Sequence, residues 1–162
     1  MPPPADITHL IEDRPTIVAG ILAFDCWIGN TDRSADNLAY VRDDRERPVT
    51  VFDHSHALLG TQQGQGADLL RQQIDQPFVA GNLASQITSS KGLSDWSSRI
   101  SEVSAGLIRD LCQAVADQEG ITADECAAAA EFLTHRKDQV LEHIKASKGD
   151  MPNVKEWELD QG

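Results

Sequence analysis

Two short runs hold the side chains of this sequence that could do chemistry: Asn30-Thr31-Asp32-Arg33-Ser34-Ala35-Asp36-Asn37 and Asp53-His54-Ser55-His56. The first offers a carboxylate, Asp32, and a carboxamide, Asn37, in one polar loop. The second opens on another carboxylate, Asp53, directly after the strand-like run 49–52. Phosphoryl transfer needs such a set: one carboxylate to receive or orient the proton of the attacking hydroxyl, and an amide oxygen and a second carboxylate to hold Mg²⁺ against the phosphates. Asp32 fits the base, Asn37 and Asp53 fit the metal ligands, and Asn30 and Arg33 are placed to position the loop. The same stretch has a competing reading. Asp53, His54 and His56 are competent zinc ligands for a metal-dependent hydrolase, but no further ligand is spaced nearby to complete that set.

The flanking elements must hold these groups in place. Residues 16–28 are nearly all apolar, with Ile17, Ile21, Phe24 and Ile28 recurring every three or four positions, which predicts a buried helix. Arg14-Pro15-Thr16 supplies its start and Gly29 its stop, so the Asn30 to Asn37 loop leaves the end of a rigid element. Asp25 is the only charge on that helix; it reads either as an exposed face or as an acceptor for the loop. Residues 38–42 and 49–52 carry β-formers around a polar connection, which predicts a hairpin that returns Asp53 alongside Asn37. The polar, glycine-containing run 61–66 reads as a loop. The remainder has helical patterning over 69–74, 78–87, a segment capped near Ser94, 107–115 and 124–144. Thr122 and Glu125 form a capping-box signature before the last of these, and 135–138 marks a candidate joint within it. Trp157 reads either as an anchor for the tail or as an exposed residue.

The loop N-T-D-R-x-x-x-N at 30–37, followed by V-F-D-H-S-H-A-L at 51–58 and preceded by Asp25 and Trp27-Ile28, resembles the catalytic and metal-binding loops of HipA-like kinases and the related phosphatidylinositol 3/4-kinase-like fold. The resemblance is specific over 24–60 and loose elsewhere. It implies an α+β, mostly α-helical chain: a protein-kinase-like C-lobe with a small β-hairpin carrying the metal-binding loop. On this reading 1–14 is an extended lead, 15–150 the C-lobe-like domain and 151–162 a tail. It implies Mg²⁺ and ATP as cofactors, with His54 in the second position of the metal-binding motif and His56 structural, and transfer to an alcohol group of a protein or small-molecule acceptor. A working kinase also needs a phosphate-covering glycine loop and a lysine that pairs the nucleotide phosphates, and neither has a counterpart in the sequence. The resemblance therefore covers a C-lobe alone. Its two functional forms are a phosphotransferase, either with a compressed N-lobe or one supplied or replaced by a protein partner, or with ATP and metal held mostly by the C-lobe, and a catalytically silent binding or regulatory module.

Composition narrows the partners. With 162 residues the chain can build one domain with a real core. Its 14 Lys and Arg against 26 Asp and Glu give a net charge of −12, which disfavours nucleic acid and anionic membranes. Three cysteines, odd in number and widely spaced, predict free thiols in a reducing compartment, hence a cytoplasmic protein. No apolar run reaches the ~20 residues of a membrane span.

Overall fold

In the computed structural model, which describes residues 7–40, 48–60, 66–116 and 120–157, the apolar run after Arg14 forms the central helix α2, Pro15–Ile28. Proline at the first helical position has its φ already set and lacks only an N–H that would have no partner there. Gly29 ends the helix at φ 70° and ψ 26°, a left-handed conformation that costs glycine little. Around α2 lie α1 (Ile7–Asp13), α3 (Gly66–Gln73), α4 (Ser90–Ser101), α5 (Ala105–Val115), α6 (Ala123–Arg136) and α7 (Val140–Ala146). Strands β1 (Leu38–Ala39) and β2 (Thr50–Val51) form an antiparallel pair with Leu38 opposite Val51 and Ala39 opposite Thr50. The fold is thus mostly helical with one small hairpin-like sheet; residues 41–47 between the strands lie outside the described set.

Two clusters of buried side chains hold these elements. The larger joins Val18, Leu22 and Cys26 of α2 to Leu93 and Ile100 of α4, Val140 and Ile144 of α7, Leu10 of α1 and Leu38 of β1. The smaller joins Ala67 and Leu70 of α3 to Ala128, Ala129 and Phe132 of α6. Helices α2 and α4 approach so closely that a Cβ on Gly92 would sit 2.9 Å from Ala19, and one on Gly20 would sit 2.5 Å from the Trp96 indole. Small residues at that crossing let the two helix surfaces interlock.

Several local expectations need correction. The described part of the lead is not extended: Ile7–Asp13 is helical and buries Leu10 in the main core. Residues 78–87 form no helix beyond the 3-10 turn Ala84–Gln86. Phe78, Leu83, Ala84 and Ile87 are nevertheless buried, so their spacing reflects an irregular chain pinned at intervals to the core. Gly81 and Asn82 are weak helix formers, and Gly81 lies against the Thr31 carbonyl, where a Cβ would come to 2.8 Å. Helix α4 begins at Ser90, with Ser89 as its cap accepting from the Gly92 amide at 3.0 Å; Ser94 is inside the helix. The Thr122–Glu125 capping box is present, with Thr122 N–H donating to Glu125 Oε2 at 2.8 Å and Glu125 N–H to Thr122 Oγ1 at 3.1 Å. The last pattern is two helices, parted at residues 137–139, where Lys137 donates to the Ser101 carbonyl at 2.8 Å. Trp157 is half-buried against the core, under the Lys148 ammonium at 4.9 Å, so the tail docks at least that far.

Among the described residues no helix is long and apolar enough to cross a membrane.

Candidate functional site

The site begins with a charge inside the core. Asp25, one turn from the end of α2, is 1 % exposed, and burying a carboxylate is costly unless its oxygens are paired. Arg33 provides the pairing in a two-pronged grip: Nη2 donates to Asp25 Oδ1 at 2.8 Å and Nε to Oδ2 at 2.9 Å. Asn30 Nδ2 adds a third bond to Oδ1 at 2.9 Å. Both partners are themselves 2 % exposed. Of the two readings of Asp25, the exposed face is ruled out and the loop acceptor holds.

The same three residues tie the loop to the strand that carries Asp53. Asn30 Oδ1 accepts from the backbone N–H of Asp32 at 3.3 Å, which fixes the chain beneath the exposed Asp32 carboxylate. Arg33 Nη1 donates to the Phe52 carbonyl at 2.6 Å and reaches the Asp53 carbonyl at 3.4 Å. Phe52 N–H donates to the Asn37 carbonyl at 3.0 Å, extending the strand pairing by one bond. Asp53 then turns at φ 55°, a conformation uncommon for any residue but glycine and most accessible to Asn and Asp. The guanidinium bonded to both carbonyls around that turn holds it there.

At the surface the predicted ligands become neighbours. Asn37 Nδ2 donates to Asp53 Oδ2 at 3.3 Å. Asn37 Oδ1 accepts from the Ser34 amide at 3.2 Å and the Ser34 hydroxyl at 2.7 Å, and the amide donor requires an oxygen at that position. Asp53 Oδ1 accepts from the Ser55 hydroxyl at 2.7 Å and the Ser55 amide at 3.3 Å. These two bonds, the hydroxyl first, hold the Asp53 carboxyl below its ordinary range. Asp32, with 70 % of its side chain exposed, lies 3.5 Å from His56 Nε2 through Oδ2. Thr31 and Asp32 border a cavity of about 680 Å³ that is also lined by residues 80–82 and 84–86 and by Asp150.

The predicted residues therefore divide by depth. Asp32, Asn37 and Asp53 reach the surface, and Asn30 and Arg33 lie buried, bonded to Asp25. His54 is on the exposed turn but packs edge-on against Phe24, ring centroids 6.0 Å apart, and makes no bond to the loop. His56 faces Asp32 instead. The two histidines thus go to different neighbours, and among the described residues no three His, Cys, Asp or Glu side chains gather as a metal-holding group. An Asp/His hydrolase would need Asp53, His54 and His56 on one ion, an arrangement these positions do not present. The donor chemistry of Asn37 and Asp53, hard oxygens at the surface, fits Mg²⁺, which usually takes one or two protein ligands and completes its shell with water and phosphate. Asn37 would have to release Asp53 and present its oxygen to join such a shell.

Two supporting features escaped the sequence reading. The Ser34 and Ser55 hydroxyls that orient Asn37 and Asp53 carry no spacing signal of their own. The reach of Arg33 across to residues 52 and 53 depends on strand register, although a single acid in an apolar helix eight positions before an arginine was a usable hint.

Comparison of the chain with protein-family models, with curated proteins and with solved structures gives no match, so the kinase resemblance rests on the motif residues alone.

Proposed function

We propose that this chain is a phosphotransferase-like domain, a HipA-like kinase C-lobe without a recognisable N-lobe, that holds ATP and Mg²⁺ mostly through the C-lobe and passes a phosphoryl group to an alcohol. The observation that supports this best is the pairing of Asn37 with Asp53 at 3.3 Å: two candidate metal ligands sixteen positions apart meet at one surface point. When bound, the metal would neutralise phosphate charge. Asp32 would accept the proton of the attacking hydroxyl, with His56 able to share it. Asn30 and Arg33 would keep loop and turn in register through Asp25.

A silent binding module is the second reading, and one observation favours it. Asn37 and Asp53 already satisfy each other and their serines, a closed set that needs no ion.

Transfer from γ-labelled ATP to a generic protein acceptor, in the presence of Mg²⁺, separates the two. The phosphotransferase reading predicts labelling that falls about 10²–10⁴-fold in Asp32→Asn, the scale of a lost general base, with the circular dichroism spectrum unchanged. Equal labelling by Asp32→Asn and the parent chain would contradict it.

A further inference from the structure

Arg136, the last residue of α6, carries a charge that the fold answers only in part. The residue is 3 % exposed, and a buried guanidinium is costly unless it meets an anion. Its Nη1 donates to the Gln73 carbonyl at 3.3 Å and its Nη2 to the Gln76 carbonyl at 3.4 Å, both long for such bonds. Its Nε is buried and bonds to nothing. Two carboxylates of the surrounding elements are engaged elsewhere, Asp25 with Arg33 and Asp75 with His135, and among the described residues none pairs with Arg136. The neighbouring Cys26 thiol is no counter-ion, since burial pushes it up to about 12 and it keeps its proton. What remains is the carbonyl dipole at the end of α3, about half a charge at a helix terminus, and a cation–π contact with the Phe132 ring at 5.0 Å.

Arg136 also lines a cavity of about 390 Å³, the size of a small-molecule site. Among the described residues that line it, Arg136 is the one charged side chain. Much of the wall is apolar: Phe78 and Phe132 are buried, whereas Val79 is 69 % exposed and so stands where the cavity meets solvent. The other buried arginine of the chain shows what this one lacks. Arg33 uses Nε and Nη2 together to grip the two oxygens of Asp25, a fork that matches a carboxylate. In Arg136 the Nε half of that fork is unused. A phosphate monoester would bring nearly two charges to one cation, while a carboxylate brings one.

We infer that this cavity binds a small organic carboxylate, its charged group on Arg136 and its aliphatic or aromatic body against Phe78, Phe132 and Val79. Because Gly29 and Thr31 also line the cavity, the ligand would lie against the start of the loop that carries Asp32. The binding stands on Arg136 and its cavity alone; only a consequence for phosphoryl transfer rests on the function proposed above.

The test is titration of the full chain with hexanoate, benzoate, inorganic phosphate and hexylammonium at constant ionic strength, read by calorimetry and by the Arg136 Nε–H resonance. The inference expects saturable binding of hexanoate and benzoate that moves this resonance, weaker binding of phosphate, and none of hexylammonium. Affinity for hexanoate should fall about threefold in Val79→Glu and rise by a like factor in Val79→Lys, because a charge at that exposed position acts on the anion. Leu111→Glu, exposed on α5, should leave it unchanged. Arg136→Met should abolish binding, and should that variant not fold, the two Val79 variants decide alone. Since no nucleotide is present, failure of the phosphotransferase reading leaves this result intact. No saturable binding of either carboxylate, tighter binding of phosphate or hexylammonium, or equal affinity for hexanoate in Val79→Glu and Val79→Lys would overturn the inference. So would undiminished binding by folded Arg136→Met.

Discussion

Asp25 and Arg33 never reach the surface, yet the site depends on them. Removing one member of a buried ion pair strands the other's charge and costs about 3–5 kcal/mol, whereas replacing both with apolar residues is often near neutral. Asp25→Leu should therefore lower the unfolding free energy measured in urea by an amount on that scale, and Asp25→Leu with Arg33→Met should recover most of the loss. The double variant still lacks the bonds from Arg33 to the Phe52 and Asp53 carbonyls, so the Asp53 turn should relax even as stability returns. Backbone amide shifts of residues 52–55 in nuclear magnetic resonance would report it; shifts identical to the parent chain would refute the positioning role. Cys26, beside this pair in sequence, has its thiol pushed up to about 12 by burial, which matches a core residue rather than a nucleophile.

At the scale of elements, the launch of the loop depends on the end of α2. Gly29 sits at φ 70°, and a Cβ there would meet the Phe132 ring at 3.1 Å. Gly29→Ala should cost about 1–2 kcal/mol for the left-handed conformation alone, measured as a drop in unfolding free energy. No loss would mean that the helix does not end as described. The sequence made α2, its stop and the strand pair legible because each rests on local chemistry: an apolar run, a glycine, β-formers around a polar turn. The helix expected over 78–87 failed for the opposite reason. Its apolar residues are spaced by the surfaces they plug into, and the contact of Gly81 with Thr31 is set by tertiary structure that no local pattern encodes. The capping box of α6 was readable because both of its partners lie within one turn.

Over the whole molecule, charge couples stability to pH in two windows. Asp53, Asp124 and Glu125 have carboxyls held below their ordinary range by Ser55, Arg71 and Thr122 respectively. The unfolded chain takes up those protons first as pH falls, so their contribution is full above the ordinary carboxylate pKa of about 4 and is lost below it. His143 is depressed by burial first and then by the nearby Arg136 cation, and its Nε2 is buried without a hydrogen-bond partner. The fold thus favours the neutral imidazole, while the unfolded chain protonates near pH 6.5, so stability should begin to decline as pH drops through about 6.5. Urea midpoints between pH 7.5 and 5 should show this decline in the parent chain and a flatter profile in His143→Gln. An identical slope in both would exclude His143 as its source.

The phosphotransferase reading is tested most directly by thermal unfolding of the purified chain with ATP, with and without Mg²⁺, beside Asp32→Asn and Asp53→Asn. A ligand present at about 100 times its dissociation constant stabilises the native state by about 2.7 kcal/mol, a shift of about 5–10 °C for a domain of this size. The account predicts such a shift only when metal and nucleotide are both present, kept in Asp32→Asn and lost in Asp53→Asn. No shift under any condition, or one that survives Asp53→Asn, would contradict it.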